Sequence, residues 1–99
     1  MDLHNFVKTE ISKIDPLAEV ILFGSRARGD FRNDSDWDFL ILLDRPMDQP
    51  LKDLILATIY QIELQTDSVF NALIHTKEDW AMRSITPLYA IIQKEGKRA

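Results

Sequence analysis

The sequence predicts an α+β fold, a small mixed β-sheet of three or four strands covered by helices. Stretches with apolar residues at helical spacing alternate with short apolar runs of strand length. In addition, 99 residues that are 45% apolar and 28% charged suffice for one modest core, which predicts a single domain over residues 1–99.

Leu3, Phe6, Val7, Ile11 and Ile14 share a helical face, and Pro16 stops that helix. Val20 to Phe23 is a continuous apolar run closed by Gly24, as expected of a buried strand. Residues 25–35 are rich in Gly, Ser, Arg, Asn and Asp and read as a loop or a single helical turn. Asp36 to Leu43, polar at its start and apolar beyond, is the second strand. The link between these strands is short for a parallel crossover, which favours an antiparallel pair. Pro46 and Pro50 mark a turn-rich connection. Leu51, Leu54, Ile55, Ile59 and Ile62 then define a helix running to about Gln65. Ser68 to His75 is the third strand, and Thr76 with Asp79 resembles a capping box for a short helix. Thr86 as N-cap, Pro87 at the first helical position and Gly96 past the end bracket the final helix. Lys94 suits its last turn, while Lys97 and Arg98 read as a solvated tail.

Composition narrows the function. Twelve basic against sixteen acidic residues, a net charge of −4, argue against strong nucleic-acid binding. Without cysteine there is no disulfide, thiol nucleophile or thiolate metal site, which suits a cytoplasmic protein. The longest apolar runs, such as Phe39 to Leu43, are too short to span a membrane. The start, Met1-Asp2-Leu3-His4, lacks the basic and apolar regions of a signal peptide.

The chemistry concentrates in Gly24-Ser25-Arg26-Ala27-Arg28-Gly29-Asp30 and Ser35-Asp36-Trp37-Asp38-Phe39-Leu40-Ile41-Leu42. In a strand, Asp36 and Asp38 point the same way, roughly 7 Å apart along the backbone. Two carboxylates in line on one face call for a cation, and hard oxygen ligands suit Mg²⁺. Gly24 lets backbone approach a ligand closely. A helical turn beginning at Ser25 would aim free N–H groups at an anion. The Ser25 hydroxyl and the cations Arg26, Arg28 and Arg32 add to that site. Phosphates at one end and metal carboxylates at the other describe a nucleoside triphosphate held by Mg²⁺.

These residues resemble the DNA polymerase β-like nucleotidyltransferase superfamily, whose signature is Gly-Ser, ten intervening residues, then Asp-x-Asp. The segment from Leu22 to Leu42 is similar to its minimal members, freestanding domains often paired as antitoxins with a HEPN-domain toxin. The resemblance implies the polymerase β-like fold and transfer of a nucleotidyl group from an NTP, expected to be ATP, to an acceptor hydroxyl. It implies that Gly24 and Ser25 cradle the β- and γ-phosphates, that Asp36 and Asp38 are catalytic metal ligands, and that a second Mg²⁺ can join the first. The superfamily usually has a third carboxylate on a later strand. Here Asp67 stands at the start of that strand and is the candidate third ligand, while Asn71 is the polar residue at its middle.

The expected partners are the NTP and a HEPN-type protein or further copies of this chain, and the acceptor is expected to be a toxin side-chain hydroxyl. The rival expectation is an antitoxin that neutralises its partner by binding, with little or no catalysis. Trp37, Trp80 and Tyr89 are expected to serve packing, and His4 and His75 to be structural or solvent-exposed.

Overall fold

The structure, a computed structural model, describes residues 2–99. Helix α1 (Leu3–Ser12) starts at Asp2, whose side chain accepts the His4 amide at 2.9 Å. Strand β1 (Glu19–Phe23) leads through Gly24 into a single turn, α2 (Ser25–Arg28). Strand β2 (Trp37–Leu43) begins one residue after Asp36, so that carboxylate stands at the strand's mouth. Helix α3 (Gln49–Thr66), capped by Asp48, crosses over to strand β3 (Phe70–Thr76). The short α4 (Lys77–Ala81) and α5 (Pro87–Glu95) follow, with Thr76 and Thr86 as caps accepting from Asp79 and Tyr89 amides. A two-residue strand, β4 (Lys97–Arg98), ends the chain.

The sheet runs β3-β2-β1-β4. Strands β1 and β2 are antiparallel, as their short link favours, whereas β2 and β3 are parallel across α3. Lys97 and Arg98 are therefore not a loose tail. Their backbone pairs with Leu22 and Ile21, and Arg98 Nε reaches Glu19 at 3.0 Å. An edge strand needs only backbone donors and acceptors, so its polar side chains hide it from a pattern reading.

The alternation of β2 builds two apolar layers. Phe39, Ile41 and Leu43 pack with Val7, Ile11, Ile55 and Ile59 beneath α1 and α3. Leu40 and Leu42 pack with Ile21, Trp80 and Ile92 beneath α4 and α5. Truncating a fully buried isoleucine such as Ile55 to Ala costs about 2–5 kcal/mol. His4 is buried, with Nε2 2.9 Å from the Val20 carbonyl oxygen, and its ring lies beside Phe39. Among the described residues no helix is long and apolar enough to cross a membrane.

Gly96 follows α5 for a steric reason rather than for left-handed backbone. A Cβ there would stand 2.5 Å from the Ile92 carbonyl oxygen and 2.7 Å from Ile21 Cγ2. Its absence lets the end of α5 lie directly on β1.

Candidate active site

The site forms where β1 ends, on the sheet face that carries Leu40 and Leu42. Gly24 has φ +76° and ψ −160°, a backbone region essentially confined to glycine. There the chain leaves the sheet and closes α2: the Ala27 and Arg28 amides bond to the Gly24 carbonyl, each at 3.1 Å. Gly29, at φ +84°, ends the turn in left-handed backbone.

Register brings Phe23 opposite Asp38, so the Asp38 carboxylate stands over the neighbouring Gly24. A Cβ on Gly24 would be 2.2 Å from Asp38 Oδ2, so only a glycine admits the carboxylate there. On the other side, parallel pairing sets Asn71 opposite Asp38. Asn71 Nδ2 donates to Asp36 Oδ2 at 3.2 Å and to Asp38 Oδ1 at 3.1 Å. An N–H donor between two carboxylates sits where a cation would. Two carboxylates meet the protein's usual share of a Mg²⁺ shell, and Asn71 turned about its last bond offers a third oxygen. The donor set thus fits one Mg²⁺. No group of three or more His, Cys, Asp or Glu residues suited to a metal occurs among the described residues.

Asp67 is not brought to this pair. It caps α3 at φ +53° and lines a shallow pocket with Arg26, Ser35 and Trp37. Of the two candidate replacements for a third carboxylate, the strand register delivers Asn71.

Arg26 and Arg28 have partners within the protein. The Arg26 guanidinium lies between the rings of Phe31 and Trp37, 4.4 Å from each centroid. It also donates to the carbonyls of Ser35 at 2.9 and 3.3 Å and Asn33 at 3.2 Å, so this side chain pins the loop before β2. Arg28 donates to Asp30 at 3.2 Å and to both Glu95 oxygens at 3.2 Å. These hydrogen bonds, that to Asp30 first, raise the guanidinium's pKa above its ordinary value. Among the described residues, the Ser25 hydroxyl and the Ser25 and Arg26 amides find no hydrogen-bond partner, so three donors remain for an anion beside the carboxylates.

Glu95 is the residue the sequence reading missed. Its Oε1 accepts the Gly24 amide at 3.1 Å. One signal was available: an acid in the last turn of a helix opposes the helix dipole and so invites a search for its partner.

A family model described as a nucleotidyltransferase domain matches residues 5–96. The chain belongs to the nucleotidyltransferase domain family. It is thereby an enzyme of the nucleotidyltransferase class. A relative from Methanocaldococcus jannaschii, described as a candidate protein adenylyltransferase, is 39% identical over 72 residues, 71% of this chain and 73% of the relative. A solved structure of a candidate nucleotidyltransferase has a TM-score of 0.62 at 29% identity, over 96% of this chain and 95% of the other. A toxin–antitoxin structure with AMP-PNP has a TM-score of 0.68 at 18% identity, over 99% of this chain and 72% of the other. A mutant MntA–HpeT toxin–antitoxin structure gives 0.64 at 15% identity, over 96% of this chain and 70% of the other. At those identities the last two establish the fold, which is that of the nucleotidyltransferases.

Proposed function

We propose that this chain, acting as one domain, transfers an adenylyl group from ATP to a hydroxyl of a protein partner, with Mg²⁺ held by Asp36 and Asp38. The observation that carries the reading is the convergence of these carboxylates with Asn71 beside the Gly24–Ser25 turn. Family membership supports nucleotidyl transfer as the chemistry. The adenylyltransferase description of the relative and the AMP-PNP of one fold neighbour support ATP as donor. A toxin partner, of HEPN type in the reading from sequence, is supported by the toxin–antitoxin neighbours. The exposed apolar side chains Met82, Ile85, Leu88 and Ile91 offer surface for a partner protein, and NTP chemistry suits the cytoplasm.

In this reading Asp36 and Asp38 bind the metal and Asn71 completes the carboxylate side of the site. The Ser25 hydroxyl and the Ser25 and Arg26 amides take the β- and γ-phosphates. Bound Mg²⁺ supplies charge neutralisation at the phosphates and eases ionisation of the attacking hydroxyl. The acceptor oxygen bonds to the α-phosphorus, the α–β bridging P–O bond breaks, pyrophosphate leaves and the hydroxyl proton passes to water. In this reading the Asn71 oxygen would serve the same ion, and no further protein ligand is proposed for a second one.

Labelled ATP, Mg²⁺ and the cognate partner incubated with the chain should yield labelled partner. Asp36→Asn with Asp38→Asn should abolish the label. Labelling that persists in that double variant would overturn the mechanism.

The neutral Asn71 at the third position favours a second reading, an antitoxin that works by occupying its partner. On that reading the same double variant still neutralises the toxin.

A further inference from the structure

We infer that Glu95 is a positioning residue for the Gly24–Ser25 turn, a brace from the C-terminal helix that holds the phosphate side of the site in shape. The inference rests on the proposed nucleotide role of that turn and adds a residue outside it.

Helix α2 is four residues long, too short to maintain itself, because a first helical turn is costly to nucleate. Glu95 spans it from end to end. Its Oε1 accepts from the amide of Gly24, the residue before the turn, and both of its oxygens accept from Arg28 Nη1, the last residue of the turn. These contacts join positions 71 and 67 residues apart in the chain. The Glu95 side chain is only 18% exposed, so its contact with the Gly24 amide is partly shielded from water, whereas the Arg28 contacts are exposed.

Three features fix Glu95 over the turn. Gly96 lets the end of α5 touch Ile21, β4 pairs with β1 at Ile21 and Leu22, and Arg98 reaches Glu19. The helix end is thus fastened to the strand from which Gly24 emerges. Asp38 presses on Gly24 from the carboxylate side and Glu95 holds its amide. Pairing with Arg28 also neutralises the Glu95 charge, so an acid can stand close to a phosphate site without dominating its field.

Equilibrium binding of a non-hydrolysable ATP analogue with Mg²⁺ tests the brace, at a temperature well below the melting point of every variant. Glu95→Ala should weaken binding about tenfold, the scale of one charge-assisted hydrogen bond. Glu95→Gln keeps an acceptor for the Gly24 amide and should recover most of that loss. In turnover assays the loss should appear in KM for the nucleotide more than in kcat. A merely structural Glu95 would lower the melting point and leave the affinity of the folded protein unchanged, which would overturn the inference. Tighter binding by Glu95→Ala would also overturn it, marking Glu95 as a competitor of the phosphates. If Glu95→Ala does not fold, Arg28→Ala, which cuts the other end of the brace, should show the same weakening. A wild-type chain that binds no nucleotide would remove the functional reading and the brace together, whereas normal wild-type binding with unaltered variants removes the brace alone.

Discussion

The carboxylate of Asp38 occupies the space that a side chain on Gly24 would need, with Oδ2 2.2 Å from the position of a Cβ. The Gly24–Ser25 turn and the Asp36–Asp38 carboxylates are therefore one packed unit. Gly24→Ala must either expel Asp38 or shift the turn, and it must hold alanine at φ +76°. The backbone strain alone costs about 1–3 kcal/mol. Displacing a catalytic group by about 1 Å can cost 10²-fold in rate. Thermal melts and turnover of Gly24→Ala should show both effects, and near-normal turnover would contradict this packing.

Asn71 is placed to report on metal binding. Replacing it with Asp sets three carboxylates together and removes the donor that bridges two of them. Without metal, Asn71→Asp should be destabilised by about 1 kcal/mol, or about 4–8 °C in Tm for a domain of this size. With Mg²⁺ the order should reverse, since a ligand that binds only the folded state stabilises it in proportion to its affinity. Melting curves across a Mg²⁺ titration give the answer. An Asn71→Asp variant whose Tm responds to Mg²⁺ no more than the wild type would mean that position 71 does not reach the ion.

Arg26 is expected to act through the loop it holds. Arg26→Ala loses two aromatic faces and the carbonyl bonds to Asn33 and Ser35, together worth about 2–3 kcal/mol at a half-buried site. Lysine cannot reproduce a planar group stacked between two rings. Arg26→Lys should therefore melt nearly as low as Arg26→Ala in denaturant unfolding. Wild-type stability in Arg26→Lys, with only nucleotide affinity reduced, would return this side chain to the phosphates.

What the sequence disclosed and what it concealed divide along chain distance. Gly24, Ser25, Asp36 and Asp38 lie within a short segment, and strand alternation alone aligns the two carboxylates. The antiparallel β1–β2 pair follows from the length of their link, and the capped helices from Thr76, Thr86 and Pro87. Asn71 was visible as the polar centre of β3, but its placement beside Asp38 needed the parallel register. Glu95 and β4 were hidden because their contacts are long-range and their residues polar. Arg26 and Arg28 read as candidates for the anion site, and although Asp30 lies two residues from Arg28, nothing local reveals the Ser35 carbonyl or Glu95 folded onto them. Asp15 is buried and accepts from the nearby Leu17 amide, but its second bond, from the Asp44 amide 29 residues on, is concealed by chain distance.

Asp79 makes stability pH-dependent away from the site. Hydrogen bonds from His75, at 2.6 Å, and then from Arg83, at 3.2 Å, hold its carboxyl below the ordinary value of 3.8. A carboxyl with a lowered folded pKa binds fewer protons folded than unfolded between the two values. Its contribution is therefore fully present above the unfolded value and disappears as pH falls through the folded one. Tm of the wild type should exceed that of Asp79→Asn at pH 6, and the gap should close on acidification below about pH 4. Since the Asp79 side chain is half-exposed, added salt should narrow the gap at pH 6 as well. A gap unchanged between pH 6 and pH 2.5 would show that the charge on Asp79 contributes nothing, leaving only its place in the first turn of α4.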